Sequence, residues 1–245
     1  MLTDQKIIIS VVIPTINEEK YLTNTLKSLV NQTVKNVEII VSDGGSTDNT
    51  VNIAKKFSAK VVIIKNSSVT LARQKGVEIA KGSIIVGADA DTIYPPTHLE
   101  QIISDFDKDS SVIAVGGGGI FSQKPWWVYW FWKITYFKLG KIFQYFHKVV
   151  YVPAFNLSFK KTAFDQIGNY NTFLDFGGDE LDILSRLKKV GKVYFDEKLI
   201  CWPSSRRANV GFFSMLVKHT LIDYYLGYLL AKVFHKPIIR GKPIR

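Results

Sequence analysis

Apolar residues come in short runs through the first half of the chain, alternating with segments whose apolar positions recur at helical spacing. Residues 7–13 form an apolar run that predicts a first core strand, stopped by Pro14. Thr15-Ile16-Asn17-Glu18 has the S/T-x-x-E form of a capping box, after which Leu22, Leu26, Leu29 and Val30 share one helix face. Residues 37–41 predict a second strand, 42–48 a glycine-rich turn, and Val51, Ala54 and Phe57 the apolar side of another helix. A strand at 61–64, a helix over about 69–80 ending near Gly82, and a buried strand at 84–88 follow. Pro95 and Pro96 suit a helix start, and 112–115 reads as a further strand. Alternation of this kind predicts a parallel sheet covered by helices on both faces, with ligands beyond the carboxyl ends of the strands. Pro14, Asp43 and Asp89 each fall just there, after three different strands.

The second half is less regular. Residues 126–146 are dense in aromatics, and 155–159 predict a strand. Residues 179–190 predict a helix with Ile183, Leu184 and Leu187 inward, closed by Gly191. Residues 192–195 predict a strand, 211–234 a long helix, and the last ten residues a basic tail. Without internal repeats or a clear linker, the chain reads as one domain over 1–207. Its aromatic, basic stretch 110–165 would face an acceptor or a membrane, and 208–245 would be an amphipathic appendage.

Hydrophobic content of 47% makes the chain globular, and its one cysteine, Cys201, excludes an intrachain disulfide, so a reducing compartment is expected. The start is too short for a signal peptide. The net charge of +11 is unevenly placed. Residues 110–164 carry seven lysines and no acid, and 198–245 carry nine Lys or Arg and one acid, Asp223. A basic chain could bind nucleic acid. Here the basic stretches are also the most aromatic, which points instead to an anionic membrane surface. Lys133, Lys138 and Lys141 interrupt the first stretch, and Lys218, His219 and Asp223 sit near the middle of the second. Interfacial helices therefore fit better than spanning ones. A buried aromatic core or an oligomer interface is the bland alternative.

Asp89-Ala90-Asp91 carries the sharpest chemical signal. Residues i and i+2 of extended backbone project to one side, so the two carboxylates would point together from a strand end. That arrangement suits Mg²⁺ or Mn²⁺ with positions left open for phosphate oxygens. Asp105-Phe106-Asp107 and Asp107-Lys108-Asp109 share the pattern, but they lie in a polar stretch at a helix end, where a solvated turn explains them. In Asp43-Gly44-Gly45-Ser46-Thr47-Asp48 the glycines let backbone approach a ligand, and Asp43 can accept from a base or ribose. A plain turn with Thr47 or Asp48 as N-cap is the other reading. Acids at Asp179-Glu180 suit a helix first turn, and Arg206-Arg207 suits bidentate phosphate recognition. His98, His147, His219 and His235 lack ligand spacing, so no zinc is expected. Gly116 to Gly119 lacks dinucleotide spacing and reads as a flexible floor to an acceptor site.

Taken in order, Val12-Ile13-Pro14-Thr15-Ile16-Asn17-Glu18, the Asp43 turn, Ala72-Arg73-Gln74-Lys75-Gly76, Asp89-Ala90-Asp91 and Gly178-Asp179-Glu180 with Arg186-Leu187 resemble the family 2 glycosyltransferases of GT-A fold. The resemblance covers about residues 7–207. It implies a GT-A-type, Rossmann-like α/β fold with a mostly parallel sheet, and inverting transfer from a nucleoside-diphosphate sugar. It further implies that Pro14, Thr15, Glu18, Asp43, Arg73 and Asp89 bind the nucleotide sugar. Asp91, with Asp89, would hold the divalent cation. Arg206 and Arg207 would meet a diphosphate or a lipid phosphate. The family's acidic pair, whose second acid is the general base, is usually Glu-Asp, and here the order is reversed. Glu180 occupies the base position and Asp179 stands as the alternative. The expected acceptor is lipid-linked, a polyprenyl phosphate or a lipid-borne glycan, at the cytoplasmic face of the membrane, with no nucleic-acid partner. A nucleotidyltransferase, or a non-catalytic membrane protein that keeps a nucleotide site, are the competing functions. The first would release pyrophosphate, and the second would bind nucleotide without turnover.

Overall fold

The computed structural model of the chain describes residues 8–121, 130, 134, 151–172, 174, 178–206 and 226–234. Its first half alternates β1 (Ile9–Thr15), α1 (Leu22–Val30), β2 (Val37–Asp43), α2 (Thr50–Lys56), β3 (Lys60–Ile63), α3 (Val69–Glu78) and β4 (Ile84–Gly87). Strands β1 to β4 pair in parallel, as the alternation predicts. Then come β5 (Thr92–Ile93), α4 (His98–Asp107), β6 (Val112–Gly119), β7 (Leu157–Lys160), α5 (Lys161–Gln166), α6 (Asp179–Leu187), β8 (Lys192–Pro203) and α7 (Gly227–Phe234). Among the described residues these strands make one sheet in the order β3-β2-β1-β4-β7-β6-β8-β5. The parallel half ends at β4. From there β7 runs antiparallel to both β4 and β6, while β6 and β8 are parallel.

Alternate residues of β1 feed two cores, as period-2 side-chain projection requires. Ile9, Val11 and Ile13 pack with Leu22, Leu26 and Leu29 of α1 and with Leu99, Ile102 and Phe106 of α4. Val12 packs on the other face with Ile85, Phe159, Phe164 and the inward residues of α6, Ile183, Leu184 and Leu187. Helices thus cover both faces. Val30, expected on the buried face of α1, is 43% exposed.

Pro14 does not stop the first strand. β1 runs through it to Thr15, with Pro14 opposite Ser42. The carbonyl of Val12 takes the Ala88 N–H, and Pro14, two residues on, points the same way beyond the end of β4. The N–H that proline lacks has no ladder partner to lose there. The capping box does not form either, because Thr15 is still strand and α1 begins only at Leu22. Residues 17–19 are instead knitted to the β2–α2 turn: Glu18 N–H donates to Thr50 Oγ1 (2.8 Å) and Glu19 N–H to an Asp48 carboxylate oxygen (3.1 Å).

Gly116 to Gly119 is not a flexible floor. It is the second half of β6, in mid-sheet. A Cβ at Gly116 would collide with Val152, and one at Gly117 with the carbonyl of Leu199. The glycines are there for close approach. Against this segment β8 bulges, because Phe195 pairs with Gly116 and Ile200 with Gly118. The polar Asp196-Glu197-Lys198 in the bulge hides the continuation of the strand from a sequence pattern, which ended it at residue 195. Its end pairs with β5, Pro203 opposite Thr92, and so delivers Ser204 to Arg206 beside the Asp89–Asp91 turn.

Most of the aromatic stretch (122–129, 131–133 and 135–150), residues 207–225 with Arg207, and the basic tail lie outside the described residues. Of the expected helix over 211–234, α7 is described. Tyr228 packs where a Cβ on Gly178 would fall, while Leu229, Val233 and Phe234 are exposed. Trp130 and Ile134 are exposed as well. Among the described residues no helix is long and apolar enough to cross a membrane.

Candidate active site

One cleft at the carboxyl ends of the parallel strands gathers Pro14, Thr15, Glu18, Arg73, Asp89, Asp179, Glu180 and Arg206. These come from six elements or their loops. Asp91 lies just behind Arg206, its side chain 11% exposed.

The Asp89–Asp91 turn is pinned on several sides. Thr25 Oγ1 of α1 donates to the carbonyl of Ala90 (2.8 Å), and Ser204 N–H donates to that of Asp91 (3.0 Å). The Tyr94 hydroxyl accepts the Asp89 N–H (3.3 Å) and donates to the carbonyl of Phe155 (2.9 Å). A turn fixed in this way holds its carboxylates without needing to order them when a ligand arrives.

Arg73 is not a solvated surface residue. It is buried, donating through Nη1 to Asp179 Oδ2 (2.7 Å) and through Nη2 to Asp89 Oδ1 (3.2 Å). Burial alone would lower its pKa, but Asp179 and Asp89 more than offset that and hold it charged. Asp179 opens α6 after Gly178, whose φ of 83° is the left-handed conformation that favours glycine. Burial first, then the neighbouring Glu180, push the Asp179 carboxyl well above the usual carboxylate range despite Arg73. Glu180, the second residue of the helix, is half-buried and lines the same cleft.

Arg206 grips Glu18 with both terminal nitrogens at 2.8 Å, and its guanidinium lies 5.0 Å from the centre of the Tyr21 ring. Burial raises the Glu18 pKa against the opposing influence of Arg206. Arg206 Nε is 2.8 Å from Asp91 Oδ2, yet its N–H is not aligned on that oxygen, so this is an ion-pair contact and not a hydrogen bond. The aligned bond to Asp91 Oδ2 comes from Ser204 Oγ (2.6 Å).

Asp43 is taken up by its own turn. Its Oδ1 accepts the N–H of Gly45 (3.0 Å) and Ser46 (2.7 Å), and its Oδ2 accepts the hydroxyls of Thr15 (3.0 Å) and Ser46. Those donors take all of its lone-pair sites. It is fully buried and does not line the cleft, so the structure makes it the organiser of the turn that brings Gly44 there. Among the rival triplets, Asp107 is exposed as expected. Asp105 is not solvated. It is fully buried, bonded to Gln101 (3.1 Å) and Lys108 (2.6 Å), with its pKa raised chiefly by burial, and it lies apart from the cleft.

A divalent cation fits this donor set. Among the described residues no group of three or more His, Cys, Asp or Glu could hold one, so a cation here would rest on fewer protein ligands, for which the Asp89–Asp91 turn supplies two carboxylates. Asp89 gives Oδ1 to Arg73, and Asp91 gives Oδ2 to Ser204 and Arg206. Each keeps its second oxygen, a hard ligand of the kind Mg²⁺ and Mn²⁺ take, with the remaining positions left to phosphate oxygens.

Sequence reasoning missed Tyr21, Thr25 and Tyr94, since a helix-face threonine or a lone tyrosine has no motif. Ser204 stood beside Arg206 in the sequence, but nothing local shows that it reaches Asp91.

The chain is similar to known proteins to different depths. The chain is 26% identical over 201 residues to an uncharacterized glycosyltransferase of Rickettsia typhi, covering 79% of this chain and 62% of that one. It is 33% identical over 128 residues to glycosyltransferase GlyA of Streptococcus pneumoniae, covering 50% of this chain and 18% of GlyA. It therefore spans less than two thirds of either relative. The fold matches TarS of S. aureus in complex with UDP, with a TM-score of 0.65, 19% identity and coverage of 80% and 60%. It also matches mannosyltransferase PcManGT of Pyrobaculum calidifontis in complex with GDP-Man and Mn²⁺, with a TM-score of 0.61, 18% identity and coverage of 79% and 56%. The family model described as "Glycosyl transferase family 2" matches residues 10–168, which include β1, the Asp43 turn, Arg73 and the Asp89–Asp91 turn, and by that match the chain belongs to glycosyl transferase family 2.

Proposed function

We propose that this chain transfers a sugar, with inversion, from a nucleoside-diphosphate sugar to a lipid-linked acceptor at a membrane surface. The observation that carries the reading is the convergence of four acids (Glu18, Asp89, Asp179 and Glu180) and two arginines (Arg73 and Arg206) on one cleft at the strand ends. The solved complexes of similar fold with UDP and with GDP-Man and Mn²⁺ support it. In this reading the strand-end segment of Pro14, Thr15 and Gly44 receives the nucleoside. Asp91 and Asp89 would hold a divalent cation, which would neutralise the diphosphate and stabilise charge on the leaving group. Arg206 meets the diphosphate from the other side. Glu180 takes the proton of the acceptor as it attacks the anomeric carbon. Arg73 holds Asp89 and Asp179 in register.

Thermal unfolding with Mn²⁺ and a panel of UDP-, GDP- and dTDP-sugars tests the donor class. One nucleotide series is expected to raise the midpoint, and the product of turnover is then the nucleoside diphosphate. Release of pyrophosphate, or stabilisation without turnover against either lipid-linked or soluble acceptors, would refute the transferase reading.

The membrane reading rests on the coincidence of positive charge with aromatic and apolar residues in the sequence, and on the exposed Leu229, Val233 and Phe234 of α7. Lysines near an anionic surface contribute about 1 kcal/mol each, and salt screens that part but not the apolar part. The protein is expected to float with anionic vesicles at low salt, to bind neutral ones less, and to be only partly released by high salt. A chain that ignores anionic vesicles at low salt makes the acceptor a soluble one.

A further inference from the structure

Arg206 stands beside Asp91, the carboxylate that a cation would share. A cation on Asp91 would sit about 2 Å from a carboxylate oxygen. The guanidinium already approaches that carboxylate to 2.8 Å through Nε while its two terminal nitrogens hold Glu18. Two positive groups on one carboxylate would repel each other in a half-buried site, where water screens them less. The two anchors of Asp91 differ in quality. Ser204 Oγ makes an aligned 2.6 Å hydrogen bond to Oδ2, and the Ser204 N–H holds the carbonyl of the same residue. Arg206 Nε is buried with its N–H directed at no acceptor, which leaves the donor unsatisfied and the contact the weaker of the two. The backbone at Ser204 is held, because Pro203 pairs with Thr92 in the sheet and the Ser204 N–H bonds Asp91. Ser204 would thus keep Asp91 oriented after a side-chain movement of Arg206.

We propose that Arg206 is an internal counter-cation that bridges Glu18 and Asp91 and is exchanged for the divalent cation when a nucleoside diphosphate enters. It swings from the carboxylates onto the diphosphate. Because the arginine beside Asp91 Oδ2 opposes a cation on the other oxygen of the same carboxylate, its departure onto the diphosphate couples cation and nucleotide binding positively, and the coupling is reciprocal. The cleft then stays charge-balanced whether or not donor is present, and a cation alone gains little by binding. The inference rests on the reading of Asp91 as a cation ligand.

The test is Mn²⁺ binding, followed by the electron paramagnetic resonance of the free ion, in the wild type, Arg206→Gln and Arg206→Lys, each without nucleotide and with saturating UDP or GDP. Thermal unfolding checks that each variant is folded. Without nucleotide, Arg206→Gln is expected to bind Mn²⁺ about 10-fold more tightly than the wild type. Arg206→Lys keeps the charge but cannot span Glu18 and Asp91 at once, so it should gain as well, though less. With UDP or GDP bound the differences should shrink. If both variants bind Mn²⁺ as the wild type does without nucleotide, the exchange is wrong while the cation site stands. A gain in Arg206→Gln alone reduces the effect to net charge and overturns the bridge. Mn²⁺ binding in no arm, with nucleotide or without, overturns the cation reading and the exchange together.

Discussion

Asp91→Ala is expected to abolish sugar transfer, lowering the rate by at least about 10²-fold to 10³-fold, while Asp107→Ala leaves it near that of the wild type. In the proposed reading Asp89 and Asp91 are the two carboxylates that would hold the cation, so the loss of Asp91 removes half of the protein's share of the site. Asp91 also receives the Ser204 and Arg206 side chains, which lose their common anchor in the variant. Asp107 sits exposed at the end of α4 and touches none of this. The measurement is release of nucleoside diphosphate from the donor that thermal unfolding selects. Reversed outcomes would move the cation to the wrong triplet, and an active Asp91→Ala would remove it from the mechanism.

Glu180→Gln and Asp179→Asn are expected to fail in different ways. Glutamine at 180 keeps the shape of the side chain and removes the base, so kcat should fall by at least about 10²-fold with donor binding and stability preserved. Asp179 faces inward, buried and paired with Arg73 at 2.7 Å. Asparagine there takes away a charge facing the buried arginine and leaves its ion pair with Asp89, which costs stability. Asp179→Asn should therefore lower the unfolding midpoint and weaken the hold on Asp89, which appears in donor KM as well as in kcat. An Asp179→Asn variant with intact stability and donor binding but no turnover would make Asp179 the base. Two active variants would mean an acceptor that arrives already ionised, as a phosphate does.

The sequence reading placed the strands β1 to β4 within two residues of where they lie, because buried parallel strands read as continuous apolar runs bounded by turn residues. It lost β8 beyond Phe195, where a bulge puts three polar residues into a strand, and β6 beyond Val115, where four glycines mimic a loop. It misjudged Pro14 and the capping box for one reason. Both are local rules, and both gave way to the tertiary fit of β1 against β2 and of residues 17–19 against the Asp48 turn.

The same division runs through the candidate site. The family, the α/β order and the acids at strand ends are set by residues close together in sequence, where alternation, helical spacing and turn chemistry act. The roles of those acids depend on partners far away along the chain. Arg73 meets Asp179 across 106 residues, and Arg206 meets Glu18 across 188. Asp43 follows a strand just as Asp89 does, yet its oxygens are consumed inside a turn while Asp89 faces the cleft. Nothing in either motif distinguishes them. A carboxylate's availability is set by how many donors the folded chain brings to it, and only the tertiary structure decides that number.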